Sequence, residues 1–207
     1  MVSSVRNLKR LIYLISPRKI YLNFYKDLEK VLSSKRVSFF QLRLKTTPKN
    51  LIIKIAKKIK IITKKNKVKF IINDDSKLAK KIGADGCHIG QLDNTVSSAR
   101  KDMRKKIIGV TCHNSKILAR KAVQDKATYL AFGSFFKSKL KPNAKKANLS
   151  ILRWSRRNIK RPIVVIGGIN NLNYKRLIKS GAKYIAISSF IWDNPKLKPE
   201  LAIRKFK

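Results

Sequence analysis

A single-domain α/β fold, the closed (β/α)8 TIM barrel, is predicted by three features of this 207-residue chain. Apolar runs of strand length alternate with segments of helical periodicity eight times, roughly 25 residues apart. No long linker breaks the alternation, and no internal repeat, low-complexity segment or second domain is visible, so residues 1–207 read as one domain. Eight such units in one compact domain favour closure into a barrel over an open, doubly wound sheet.

Taken in order, Leu11 to Ser16 reads as the first strand, stopped by Pro17. A helix from Leu22 to Ser34 has its apolar stripe at Leu22, Tyr25, Leu28 and Leu32, widened by Phe24 and Val31. Val37 to Lys45 reads as the second strand, with Gln41, Arg43 and Lys45 on one face because side chains alternate. Thr47-Pro48 predicts a helix start, cap followed by first-turn proline, and Ile52, Ile55, Ala56, Ile59 and Ile62 form the stripe behind it. The third strand is Val68 to Ile72, and either Asp74 or Asp75 can cap the helix running through Ile82. Gly86 to Gly90, Ile107 to Cys112 and Tyr129 to Phe135 are the next strands, with helices at Asn94 to Met103 and Asn114 to Gln124. The longest loop, Phe136 to Ala147, precedes a helix from Leu149 to Arg157. Pro162 to Gly168, a helix from Asn171 to Ser180, Tyr184 to Phe190 and a short closing helix complete the chain.

Fifty-one basic residues stand against ten acidic ones, a formal charge of +41. The lysines are spread over nearly every helix, among abundant isoleucine and asparagine, so they read as solvated outer faces rather than as a nucleic-acid stripe. Adhesion to polyanions at low salt follows from such charge without being a function. No apolar run approaches the roughly 20 residues of a membrane span. The basic, acid-poor start is like an import peptide, but the apolar run after it reads better as a strand, and a cytoplasmic address follows by default. Cys87 and Cys112 form no CxxC pattern and are too few for a disulfide scaffold.

Against this background, acids at strand ends stand out. Phe70-Ile71-Ile72 ends in Asn73-Asp74-Asp75, and after one helix Cys87-His88-Ile89 ends in Gly90-Gln91-Leu92-Asp93. Parallel neighbours in a βαβ unit bring such ends together. Two carboxylates there fit Mg²⁺, which is held by one or two carboxylates plus substrate phosphates. The same rim collects Gln41, Arg43, Lys45, Thr111, His113, Ser138, Lys141, Gly167, Gly168, Ser188 and Ser189. Cations beside a metal pair point to a substrate with several phosphates, a diphosphate above all. The late glycines and serines point to a second phosphate, held where this fold commonly holds one.

Five stretches occur in one order: Gln41-Leu42-Arg43-Leu44-Lys45, Ile72 to Asp75, Asp85 to Asp93, Gly109-Val110-Thr111-Cys112-His113, and Ile166-Gly167-Gly168-Ile169. Together, from about Tyr13 to Ile191, the chain resembles the thiamine-phosphate synthase family. The resemblance implies a transferase joining hydroxymethylpyrimidine diphosphate to a thiazole phosphate, with release of pyrophosphate. It implies that Gln41, Arg43, Lys45, Asn73, Thr111 and Lys141 hold the pyrimidine diphosphate within the Gln41–Lys45 stretch and its neighbours. Arg43, Lys45 and Lys141 would be the catalytic cations, and Asp74 and Asp93 the Mg²⁺ ligands. Ser138, Lys139, Gly168, Ser188 and Ser189 would surround the thiazole phosphate, with Leu140 in the same loop.

The chain departs from the family pattern in two places. Gly133-Ser134 replaces Gly-Pro, and Ser138-Lys139-Leu140-Lys141 replaces Thr-x-Thr-Lys, so Leu140 offers no hydroxyl. Thr111 for serine keeps one. Two other functions compete. A thiazole tautomerase of the same superfamily would use His113 and need no metal. A non-catalytic basic barrel would bind nucleic acid or other polyanions and be indifferent to Asp74. The retained Arg43, Lys45, Asn73, Asp74 and Asp93 favour the synthase. The expected partners are small phosphorylated substrates, with no specific nucleic acid and no membrane; oligomeric state is not legible. Adjacent strand residues face opposite ways, so Cys87-His88 reads as core rather than as a zinc pair, and Trp154 and Trp192 read as packing residues.

Overall fold

Eight parallel strands close on themselves in chain order, each hydrogen-bonded to the next and the last to the first. The computed structural model describes residues 10–137 and 146–207. The strands are β1 (Ile12–Ile15), β2 (Val37–Leu42), β3 (Lys69–Asn73), β4 (Gly86–Ile89), β5 (Ile107–His113), β6 (Tyr129–Phe132), β7 (Ile163–Ile166) and β8 (Tyr184–Ile187). Between them run α1 (Phe24–Ser33), α2 (Lys49–Lys65), α3 (Ser76–Ile82), α4 (Val96–Met103), α5 (Lys116–Gln124), α6 (Leu149–Asn158) and α7 (Tyr174–Lys179), and α8 (Ser189–Trp192) and α9 (Pro199–Arg204) close the chain.

Alternation along each strand sorts the apolar residues into two layers, and both are buried, as parallel sheets require. Ile12, Leu14, Phe40, Leu42, Phe70, Ile72, Cys87 and Ile89 point outward into the layer shared with the helices. Tyr13, Ile15, Phe39, Tyr129, Ala131, Val164, Tyr184 and Ala186 fill the bore. Large rings from some strands are met by small residues from others. Gly109 lies opposite both His88 and Tyr129 in the register of β4, β5 and β6. With no side chain between them, the His88 and Tyr129 rings stack directly, centroids 5.7 Å apart and 20° between planes. A Cβ at Gly109 would fall 1.9 Å from Tyr129 Cζ.

Helix caps follow the expected chemistry where a short polar side chain is available. Asp75, Thr95, Ser115 and Asn148 each accept a backbone N–H of the first turn. At α2 the expectation fails: Pro48 itself occupies the cap position and no side chain caps the helix. Several strands are shorter than the sequence implies, because βα loops begin as soon as the apolar run meets rim chemistry. β2 stops at Leu42 rather than Lys45, β6 at Phe132, and β8 at Ile187, where α8 takes over. Among the described residues no helix is long and apolar enough to cross a membrane.

Candidate active site

The strand ends carrying the acids do converge. Asp75 Oδ1 accepts the Leu78 N–H at 2.8 Å and serves as the cap of α3. Its neighbour Asp74 is thereby released to the rim. Asp74 takes a left-handed backbone, φ 64°, and its N–H donates to the His88 carbonyl at 2.7 Å, folding the end of β3 over β4. Aspartate tolerates that conformation better than most residues. On the next strand end, Asp93 Oδ2 accepts the Gly90 N–H at 2.7 Å and closes a tight turn.

The Asp74 and Asp93 carboxyls face one another closely enough that each alters the other's ionisation. Burial holds the Asp74 carboxyl above the usual carboxylate range; the Lys45 ammonium opposes this, and Asp93 adds to it. At Asp93, burial also disfavours charge, but the neighbouring Asp74, the Gly90 N–H and the nearby Lys45 and His88 outweigh it and bring the net shift down. The pair is thus split in acidity, Asp74 the weaker acid and Asp93 the stronger. Lys45 Nζ lies 2.7 Å from Asp74 Oδ2. Among the described residues no group of three or more His, Cys, Asp or Glu could hold a metal. A carboxylate pair without histidine or thiolate suits a hard cation completed by substrate oxygens, and not zinc.

Around this pair, Gln41 is buried near the end of β2, and its Nε2 donates to Asn73 Oδ1 at 2.6 Å. Because β2 ends at Leu42, Arg43 and Lys45 reach the rim from the loop rather than from a common strand face, which corrects the alternation expected there. The Arg43 N–H donates to Ser16 Oγ at 3.0 Å, and its guanidinium is half-buried near Asp74. Burial lowers its pKa and Asp74 works the other way. Leu42 and Leu44 are 2% and 7% exposed and pack in the outer apolar layer, so only their backbone can border a ligand. A cleft of about 340 Å³ includes Lys45, Asn73 and Asp74 in its lining.

On the far side of the rim, Thr111 is half-buried, and its hydroxyl lies 2.9 Å from His88 Nε2. The pairing of β5 with β6 slips between Thr111 and His113, and His113 turns into a left-handed conformation, φ 51°. Gly167 and Gly168 both have positive φ, 104° and 59°. A Cβ at Gly168 would meet the Lys137 carbonyl oxygen at 2.2 Å, so the β7 turn packs against the start of the long loop. Ser188 is buried, and its hydroxyl donates to the Ser16 carbonyl at 3.0 Å, tying β8 to β1; Ser189 is half-buried and opens α8. Ser138, Lys139, Leu140 and Lys141 lie outside the described residues.

The zinc reading finds no support. Cys87 faces the helices while His88 enters the bore, and burial pushes the Cys87 and Cys112 thiols up to about 12. Trp192 packs on Phe24 and donates to the Ile15 carbonyl at 2.7 Å, as a structural residue does. What sequence reasoning missed is the company His88 keeps. Its Nδ1 is 2.8 Å from the Tyr129 hydroxyl, which lies 2.7 Å from the Tyr13 hydroxyl. The available signal was Gly109, since a glycine inside a strand marks a close approach.

Residues 12–191 match the family model described as thiamine monophosphate synthase. The chain belongs to this family. A thiamine-phosphate synthase of Pelagibacter ubique is 56% identical over 201 residues, covering 96% of this chain and 97% of the relative. One from Erythrobacter litoralis is 39% identical over 186 residues, covering 87% of each. Among solved structures, a thiamine phosphate pyrophosphorylase from Pyrococcus furiosus superposes with a TM-score of 0.85 at 26% identity, covering 96% of this chain and 94% of that one. As in its thiamine monophosphate synthase relatives, the barrel is the transferase scaffold, and the expected fold and family both hold.

Proposed function

We propose that this chain, acting as one barrel domain of residues 1–207, condenses hydroxymethylpyrimidine diphosphate with thiazole phosphate, giving thiamine phosphate and pyrophosphate. The observation that carries the reading is the meeting of Asp74 and Asp93 at adjacent strand ends with Lys45 on the pair. The two carboxylates would hold Mg²⁺, which when bound neutralises charge on the diphosphate. The donor set fits, because two carboxyls from adjacent strand ends, each perturbing the other's ionisation, are the oxygen ligands a hard cation takes.

Arg43 and Lys45 stand at the same edge and would bind the diphosphate oxygens, stabilising charge as the C–O bond to pyrophosphate breaks. Positioned charge of this kind is commonly the largest catalytic contribution. The departing group leaves a pyrimidine methyl cation, which the thiazole nitrogen attacks. Gln41 and Asn73, fixed by their mutual hydrogen bond, would orient the pyrimidine half together with Thr111. From the resemblance alone, Lys141 would join the diphosphate cations, and Ser138, Lys139, Gly168, Ser188 and Ser189 would receive the thiazole phosphate. A soluble cytoplasmic enzyme acting on small molecules is the accompanying reading. The test is an assay with both phosphorylated halves, scored for thiamine phosphate. Turnover that disappears on chelation and returns with Mg²⁺ is expected; no product at any Mg²⁺ concentration overturns the proposal.

A further inference from the structure

Four side chains form a hydrogen-bonded row from the centre of the bore to the rim. Tyr13 and Tyr129 hydroxyls are 2.7 Å apart, Tyr129 is 2.8 Å from His88 Nδ1, and His88 Nε2 is 2.9 Å from Thr111 Oγ1. Tyr13 and Tyr129 are 1% and 2% exposed, and burial holds both phenols protonated far above neutral pH. Each therefore has one hydrogen that needs an acceptor, and an unmet buried donor is costly.

That requirement sets a direction. Among the described residues, the Tyr13 hydroxyl has Tyr129 as its partner. If Tyr13 donates to Tyr129, then Tyr129 donates to Nδ1. The proton of a neutral ring is then on Nε2 and is donated to Thr111 Oγ1. In the reverse direction, or with an imidazolium, Tyr129 must donate to Tyr13, and the Tyr13 hydrogen is stranded in the bore. Resting on the synthase reading, we propose that Tyr13, Tyr129 and His88 are positioning residues that make the Thr111 hydroxyl a hydrogen-bond donor toward the substrate. Its own hydrogen is the one the row leaves over. Thr111 then contacts an acceptor atom, a pyrimidine ring nitrogen or a diphosphate oxygen, and not the ring's exocyclic amino group. Gly109 is what permits the row, since any side chain there would occupy the Tyr129 ring.

The chain has two histidines, so long-range ¹H–¹⁵N correlation on the labelled full chain can read the His88 tautomer directly, with His88→Gln to assign it. The expected result is a neutral ring protonated at Nε2 without any ligand present. A ring protonated at Nδ1, or at both nitrogens, at neutral pH overturns the proposal whether or not the enzyme turns over. Tyr129→Phe removes the bond that fixes the tautomer; a mixture of tautomers is expected, with kcat/KM down about tenfold. In a Thr111→Val background the same change should cost less than twofold, because the effect travels through Thr111. Equal losses in both backgrounds refute that route. Tyr13→Phe, a gentler change, should also shift the tautomer balance, and an unchanged ring signal there would break the directional argument. Failure of the wild-type chain to form product, with the Nε2 proton in place, would sink the reaction and leave the row standing.

Discussion

Gly109→Ala adds one methyl group to the middle of β5, and its cost can be worked from the surroundings. The φ of Gly109 is outside the left-handed region, so the backbone accepts alanine. The space does not: the new Cβ would lie 1.9 Å from Tyr129 Cζ, 2.2 Å from its hydroxyl oxygen and 2.3 Å from Cε2. These belong to a rigid ring, not to the end of a flexible chain, so Tyr129 must swing away. Overpacking in a filled core costs about 1–3 kcal/mol. A displaced Tyr129 also loses its bonds to Tyr13 and His88, each worth about 0.5–1.5 kcal/mol. The sum is about 4 kcal/mol, and for a chain of this size the melting temperature should fall by roughly 8–16 °C. Thermal unfolding followed by circular dichroism measures it. Truncating the obstacle with Tyr129→Leu should rescue the alanine, leaving it neutral or favourable by about 0.4–1 kcal/mol in that background. An unchanged melting temperature for Gly109→Ala, or the same penalty in both backgrounds, would refute the packing argument.

Two further outcomes are expected from the rim. Asp74→Asn should lower kcat/KM by at least about 100-fold, the scale of losing one electrostatic stabiliser. Yet it should leave the metal-free melting temperature at pH 7 equal or higher. The folded Asp74 carboxyl titrates above its ordinary value, so its contribution to stability is present in acid and is lost as pH rises through that raised value. Asparagine keeps the uncharged form; full activity, or a large drop in melting temperature, would contradict this. Asp75 has the opposite sign. Burial raises its pKa, but the Leu78 N–H and Lys49 outweigh it and hold the net value down. Its stabilisation is present above the ordinary carboxylate pKa near 3.8 and is lost as pH falls through the lowered one. Asp75→Ala should cost about 1 kcal/mol at neutral pH and less in strong acid. A constant difference across pH would show that the cap is not ionic.

Much of the barrel was legible because each apolar run had to be buried on both faces, leaving little choice of architecture. The carboxylates were legible for a related reason: with ten acids in the chain, Asp74 and Asp93 at strand ends could not pass as solvation. Local pattern could not separate Asp74 from Asp75, since both stood within reach of a cap. The distinction rests on the left-handed turn of Asp74, which depends on the carbonyl of His88 in the next strand. The end of β2 was also hidden, because Arg43 and Lys45 continue an alternation that the backbone has already abandoned. Of the row from Tyr13 to Thr111, Gly109 alone left a trace in the sequence. Tyr13 and Tyr129 stand 116 positions apart and become neighbours only on closure of the bore.

The ammonium of Lys45 resting on Asp74 also bears on the order of events at the rim. While Lys45 rests on Asp74, part of the pair's charge is answered from within the chain. A divalent ion held by Asp74 and Asp93 would compete with Lys45 for Asp74, and the ammonium would then be available to an anion arriving with the ion. The added positive charge favours an anion at the same edge, so cation and diphosphate should reinforce one another's binding, each making the other's arrival easier by the same factor.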